Sequence, residues 1–137
     1  MYPDQNHILV IDSETTRRQL TERVLLQEGF VVTAVSEGFS AIRAASCHRF
    51  ALALTAVQLP GTLDGVVTVR QIRAGQPRLK ALYTGEAARR PALPDLGRDD
   101  FIASPYLGRE LLGCVFELLQ RDPSREAAGL RYRGRAG

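Results

Sequence analysis

Short apolar runs alternate with stretches of helical periodicity along the first 120 residues. Residues 7–11 (HILVI) are almost continuously apolar, the pattern of a parallel strand covered on both faces. Leu20, Val24 and Leu25 then repeat at helical spacing, with Ser13 as a candidate cap and Gly29 as the stop. Residues 30–35 (FVVTAV) predict a second strand, 38–47 a short helix through Ala41, Ile42 and Ala45, and 50–54 a third strand. A loop through Leu59, Pro60, Gly61, Asp64 and Gly65 leads into a helix ending near Arg73, where Gly75 and Pro77 punctuate the chain. Residues 79–83 predict a fourth strand and 100–103 a weaker fifth. Residues 107–120 predict a closing helix with Leu111, Leu112, Val115, Leu118 and Leu119 inward.

Five strands separated by helices imply βαβ crossovers, hence an α/β, doubly wound, five-stranded parallel sheet with helices on both faces. Ligands of such sheets bind beyond the carboxyl ends of the strands. The chemistry of this chain is therefore sought at Asp12, Ser13 and Glu14 after the first strand, Ala56 after the third, Thr84 after the fourth, and Ser104 and Pro105 after the fifth. Between strands four and five, Pro91 and Pro94 stand too close together for an uninterrupted helix, so the fourth helix is expected to be irregular, at most a turn over 86–90.

A length of 137 residues suits one domain, read as 1–120, followed by a tail at 121–137. Residues 1–119 carry 13 basic and 13 acidic side chains, so the whole net charge of +3 lies in the tail. There Arg131, Arg133 and Arg135 alternate around Tyr132. Such a pattern can grip phosphates, yet a short polar terminus is more often simply disordered. Cys47 and Cys114 are too few and too distant for a disulfide framework or a zinc site, and both are read as buried thiols of a reducing, cytoplasmic protein. His7 and His48 are isolated and receive no catalytic role; Asp95, Asp99 and Asp100 read as a solvated acidic stretch. No apolar run reaches the roughly 20 residues of a membrane span, and the first residues do not form a signal peptide.

Four stretches, each at a strand end, resemble the receiver domain of two-component response regulators over about residues 7–120. ILVIDSE resembles the first-strand motif ending in an acidic pair, AVQLPGTLDG the acceptor loop, ALYTG the fourth strand with its switch hydroxyl, and FIASPY the fifth strand with its lysine and proline. The resemblance implies the flavodoxin-like strand order 2-1-3-4-5. It also implies a phosphoryl-accepting aspartate, a metal held by that carboxylate and the acidic pair, a lysine and a hydroxyl, with phosphoryl transfer resting on charge neutralisation. The acceptor loop and fourth strand most resemble receivers attached to hybrid sensor kinases.

This chain departs from the pattern at three of those positions. Ala56 stands where the family has its acceptor, Ser13 where it has the second acid, and Ser104 where it has the lysine; Asp12 and Thr84 remain, and Phe101 matches the switch aromatic. A methyl group neither accepts a phosphoryl group nor binds a cation. One carboxylate among neutral neighbours is a poor magnesium site, so neither a metal nor another cofactor is expected. The sequence thus points to a degenerate, non-phosphorylatable receiver, not an enzyme, working by protein–protein contact with a sensor kinase or other signalling protein, with self-association open. The fourth-helix region, part of the family's usual output face, suggests altered partner choice. A phosphotransfer module using Glu14, Asp12 or another substitute acceptor is one alternative. A nucleic-acid-associated adaptor using the tail is another, although neither nucleic acid nor membrane is the expected partner and no DNA-reading module follows.

Overall fold

The computed structural model describes residues 6–93, 95 and 97–121. The strands are β1 (His7–Ile11), β2 (Val31–Val35), β3 (Leu52–Ala56), β4 (Lys80–Gly85) and β5 (Asp99–Ala103). The helices are α1 (Thr15–Gln27), α2 (Gly38–Cys47), α3 (Gly65–Arg73) and α4 (Gly108–Gln120). All strand pairs are parallel, in the order β2-β1-β3-β4-β5, which is the expected doubly wound sheet.

Alternation along the strands makes two cores. Leu9, Ile11, Ala53, Ala81 and Tyr83 pack with Ala41 of α2 and Val69 and Ile72 of α3, whereas Ile8, Val10, Leu52, Leu54 and Leu82 pack with Leu25 of α1 and Leu111, Val115 and Leu118 of α4. The continuous apolar runs follow from this double covering, because a strand with helices above and below has no solvent face. In α1 the helical repeat misleads at Leu20, which is 53% exposed; Leu25 alone of the three apolar positions is fully buried.

The third strand starts at Leu52 rather than at Phe50 and runs through Ala56. Gln76 accounts for the later start. Its Oε1 accepts the Phe50 N–H at 2.9 Å while its Nε2 donates to the carbonyls of Ala45 and His48, so the side chain takes up backbone groups that a ladder would otherwise pair. Both cysteines depart from the expected burial: Cys47 is exposed at the end of α2 and Cys114 is partly covered on α4.

The acidic stretch before β5 is not solvated throughout. Asp99 is 2% exposed; it accepts from Arg73 Nη2 at 2.6 Å and from the Asp95 backbone N–H at 2.7 Å. The fourth crossover has one short 3-10 turn, Ala87–Arg89, in place of a helix, as the prolines require. Pro94, which contributed to that expectation, lies outside the described residues, as does the tail with Arg131, Arg133 and Arg135.

Gly65 sits where α3 meets the end of β3. A Cβ there would lie 2.2 Å from the Ala56 carbonyl oxygen. Gly65→Ala is therefore expected to destabilise the fold by about 2 kcal/mol or more, since the obstructing atom is backbone. Gly113→Ala on α4, where a Cβ meets nothing within 4 Å, should instead stabilise by about 0.5–1 kcal/mol. Urea denaturation of the two variants checks the opposite signs.

His7 gives a second expectation. Its ring bonds to Thr33 Oγ1 at 2.8 Å and lies 5.5 Å from the ring of His48, and burial followed by that neighbour lowers its pKa from 6.5. The folded state prefers the neutral ring, so the unfolded chain takes up the proton first as pH falls. The associated stability is present above about pH 6.5 and is lost as pH drops through the lowered value. Thermal unfolding from neutral to mildly acidic pH should show this decline, and His7→Gln should flatten it.

Candidate functional site

The cleft at the carboxyl end of the sheet forms because β1, β3, β4 and β5 end side by side. The register pairs Ile11 with Thr55, Ala56 with Thr84, and Thr84 with Ile102, so the residues beyond these pairs converge on one opening. A cavity of about 460 Å³ lies there, lined by Ser13, Arg17, Ala56, Thr84 and Ser104 together with Glu14, Gln58, Glu86 and Arg89.

Asp12 continues β1, its N–H bonded to the Val35 carbonyl at 3.0 Å, and is 5% exposed. Its carboxylate is fully engaged. Oδ2 accepts from Arg17 Nε at 2.5 Å, and Oδ1 accepts from Arg17 Nη2 at 2.8 Å and from the Glu14 N–H at 2.9 Å. The two parallel arginine bonds form the fork geometry that a guanidinium makes with a carboxylate. Arg18 adds a bond from Nη1 to the Asp12 carbonyl at 2.8 Å. Hydrogen bonding to Asp12 is the largest cause of the raised Arg17 pKa, so its positive charge is permanent.

Arg17 reaches Asp12 because of how α1 starts. Glu14, not Ser13, is the cap: its carboxylate accepts the Thr16 N–H at 3.1 Å and the Arg17 N–H at 2.8 Å. A carboxylate with two acceptor oxygens satisfies two of the helix's free donors, and its charge suits the positive end of the helix dipole. Both oxygens of Glu14 are thereby directed to its own helix.

Ala56 is the last residue of β3 and is 6% exposed. The Thr55 hydroxyl donates to the Ala56 carbonyl at 3.0 Å, and Gly65 lies beneath, so the centre of the cleft floor is a methyl on a tightly held backbone. Thr84 is 3% exposed, and the Ser104 N–H donates to the Gly85 carbonyl at 2.8 Å. Ser13, Ala56, Thr84 and Ser104, four of the five positions singled out from sequence, line this cavity, and Asp12 adjoins it through its bonds to Arg17. Phe101 is buried in the α2/α3 core, with the Arg90 guanidinium 5.4 Å from its ring centroid. Tyr106 was not anticipated: its hydroxyl is buried beside the Thr21 and Thr84 hydroxyls, and burial raises its pKa, with Asp12 and Arg17 nearby.

These residues do not fit a divalent cation. Among the described residues no three His, Cys, Asp or Glu side chains group as metal ligands, and the Asp12 carboxylate is held by a guanidinium. Arg17 itself was missed from sequence. The only signal was an arginine five residues after an acid, in the first turn of a helix, a spacing that many surface arginines share.

The Asp12–Arg17 pair is partly exposed on its arginine side, 42% against 7% for the aspartate side chain. Arg17→Ala leaves a buried carboxylate with one backbone donor, and a loss on the order of 1–2 kcal/mol is expected. Asp12→Ala with Arg17→Ala should be less destabilised than the two single losses added together. A double-mutant cycle by urea denaturation measures that coupling, expected near 1 kcal/mol.

The family description "Response regulator receiver domain" matches residues 8–115. The protein PetR of Rhodobacter capsulatus is 32% identical over 128 residues, covering 92% of this chain and 54% of PetR, so the chain spans about half the length of that curated relative. Among solved structures, a response regulator receiver protein from Sinorhizobium medicae WSM419 superposes with a TM-score of 0.73 at 28% identity, covering 82% of this chain and 93% of that one. The receiver domain of the sensor histidine kinase PA1611 from Pseudomonas aeruginosa PAO1, solved with magnesium in its active-site cleft, gives 0.70 at 25% identity, covering 83% and 97%. With this sheet order, the cleft at its carboxyl end and a family match across most of its length, the chain belongs to the response regulator receiver domains of two-component signalling.

Proposed function

We propose that this receiver is not phosphorylated on an aspartate and acts in two-component signalling by binding other proteins. The observation that carries this reading is Ala56, whose methyl is the last side chain of β3 on the cleft floor, with Thr84 beside it in register. Phosphoryl transfer needs a nucleophile at the site where charge develops, and a methyl offers neither a nucleophile nor a metal ligand. The hydroxyl at Ser104 carries no positive charge to offset phosphoryl oxygens, and Ser13 adds no carboxylate.

The substitute-acceptor alternative gains no support from the geometry. Asp12 is held by Arg17, and Glu14 caps α1 with both oxygens. Either would have to break these contacts before it could attack a phosphoryl donor.

Protein contact is the function that remains, and the crossover from β4 to β5 departs from the full helix that the resemblance implies there. A 3-10 turn replaces a helix there, and it presents two exposed arginines, Arg89 facing Glu86 and Arg90 over the Phe101 ring. A partner that reads this face meets an irregular, arginine-bearing surface. The partner class we infer is a signalling protein such as a sensor kinase; the folded unit runs through Arg121, whose guanidinium pairs with Asp100 and Glu117, so the basic tail read at 121–137 begins after it. Arg131, Arg133 and Arg135 belong to that tail, and we assign them no part in the cleft.

Intact mass spectrometry after incubation with acetyl phosphate and magnesium, and separately with a histidine kinase and ATP, tests the first half of the proposal. The expected result is no added phosphoryl group under conditions that label a receiver with an intact acceptor. Acid-labile phosphate on Asp12, Glu14 or any other cleft residue overturns it.

A further inference from the structure

We propose that Arg17 is a built-in counter-ion that occupies the cation's place in the cleft, so that the cleft excludes divalent metal through its own side chain and not merely through lost ligands. It rests on the reading of the cleft given above, but adds a residue and a role which that reading does not require.

The guanidinium meets the Asp12 carboxylate along both oxygens, at 2.5 and 2.8 Å, and the Glu14 N–H takes a third acceptor site at 2.9 Å. A carboxylate offers about four lone-pair sites, so a cation approaching Asp12 finds most of them used. It also meets a permanent positive charge at hydrogen-bond range from the oxygen it would bind. The other carboxylates of the cleft are engaged as well: Glu14 caps α1, and Glu86 faces Arg89 at 3.5 Å. Arg17 is placed from below by the Glu14 cap on its own N–H, so the anchoring of α1 and the blocking of Asp12 are one arrangement.

Two consequences separate this idea from simple ligand loss. Restoring acidic residues should not by itself restore metal binding, because the guanidinium still holds Asp12. Removing Arg17 in such a restored background should. Ser13 is exposed, so Ser13→Asp rebuilds the acidic pair with little risk to folding, and Ala56→Asp can be added to it.

The test titrates Mg²⁺ into the unsubstituted chain, Ser13→Asp, Ser13→Asp with Arg17→Met, and the same pair carrying Ala56→Asp, following the backbone amide shifts of residues 12–14 and 56–58. The unsubstituted chain is expected to show no saturable change at these amides. Arg17→Met is expected to tighten Mg²⁺ binding at least about tenfold in each acid-restored background. Equal affinity with and without Arg17 overturns the proposal, as does saturable Mg²⁺ binding at Asp12 in the unsubstituted chain. Should the Ala56→Asp variants fail to fold, the Ser13→Asp pair decides the outcome alone. Phosphoryl uptake by the unsubstituted chain would defeat the proposed function yet leave this affinity ratio intact, so the two failures are distinguishable.

Discussion

A buried carboxylate needs donors, and in this fold that requirement sets the character of both ends of the sheet. At the carboxyl end Asp12, 5% exposed, is held by Arg17; toward the amino-terminal ends of the strands Asp99, 2% exposed, is held by Arg73 and by the Asp95 N–H. An ionised group taken out of water without such partners costs several kcal/mol, and removing one member of such a pair leaves the other uncompensated. The two arginines come from α1 and α3, on opposite faces of the sheet, so each ion pair also ties a helix to a strand end. Arg73 adds a bond from Nε to the Leu79 carbonyl at 2.9 Å, which fixes the turn between α3 and β4.

The same logic explains how the β4–β5 crossover does without a helix. A helix would satisfy its backbone groups internally; a loop must find partners elsewhere. Here Asp99 reaches back to the Asp95 N–H, the Asp95 side chain accepts from the Gly97 N–H at 3.0 Å, and Arg98 bonds the Pro77 carbonyl. Side chains thus replace part of the missing ladder. Arg90 lies against the Phe101 ring, so the loop is packed onto β5 by a cation–π contact as well as by hydrogen bonds. The surface that results is set by loop chemistry and no longer by the regular spacing of a helix face.

The parallel sheet and the helix positions were legible because they rest on periodicity, which reflects burial on two faces, whereas the strand order came from the resemblance to receivers. What failed to show were contacts made by single side chains. The later start of β3 depends on the Gln76 amide, 26 residues away from the Phe50 N–H it binds. Ser13 and Glu14 are both capable caps, and which one acts is decided by where the helix begins. The carboxylate of Glu14 satisfies two donors where a hydroxyl would commonly satisfy one. Asp99 reads as a surface acid until Arg73 is folded over it. Ser13, Ala56, Thr84 and Ser104 share a cavity because each stands at or just after a strand end, a geometrical place that the sequence marks. The role of Arg17 is not so marked, because it depends on a rotamer.

Charge balance decides what a cleft of this shape can hold. In the pattern this chain resembles, three carboxylates share one opening, and like charges at such distances favour a divalent ion that relieves all of them. With Ala56 and Ser13 in place of two of them, Asp12 is the one of the three that remains, and a single guanidinium meets it in a fork. On the function proposed above, the absence of a lysine at Ser104 follows the same arithmetic, because a receiver that carries no phosphoryl group has no further anion for it to meet. If Arg17 neutralises the cleft from within, as proposed above, no ionic input favours one conformation over another, and an equilibrium responds only to a ligand with different affinities for its states. On the function proposed above, whatever biases this domain makes its contacts elsewhere, and the β4–β5 crossover, packed on Phe101 through Arg90, is the surface we infer for a bound protein.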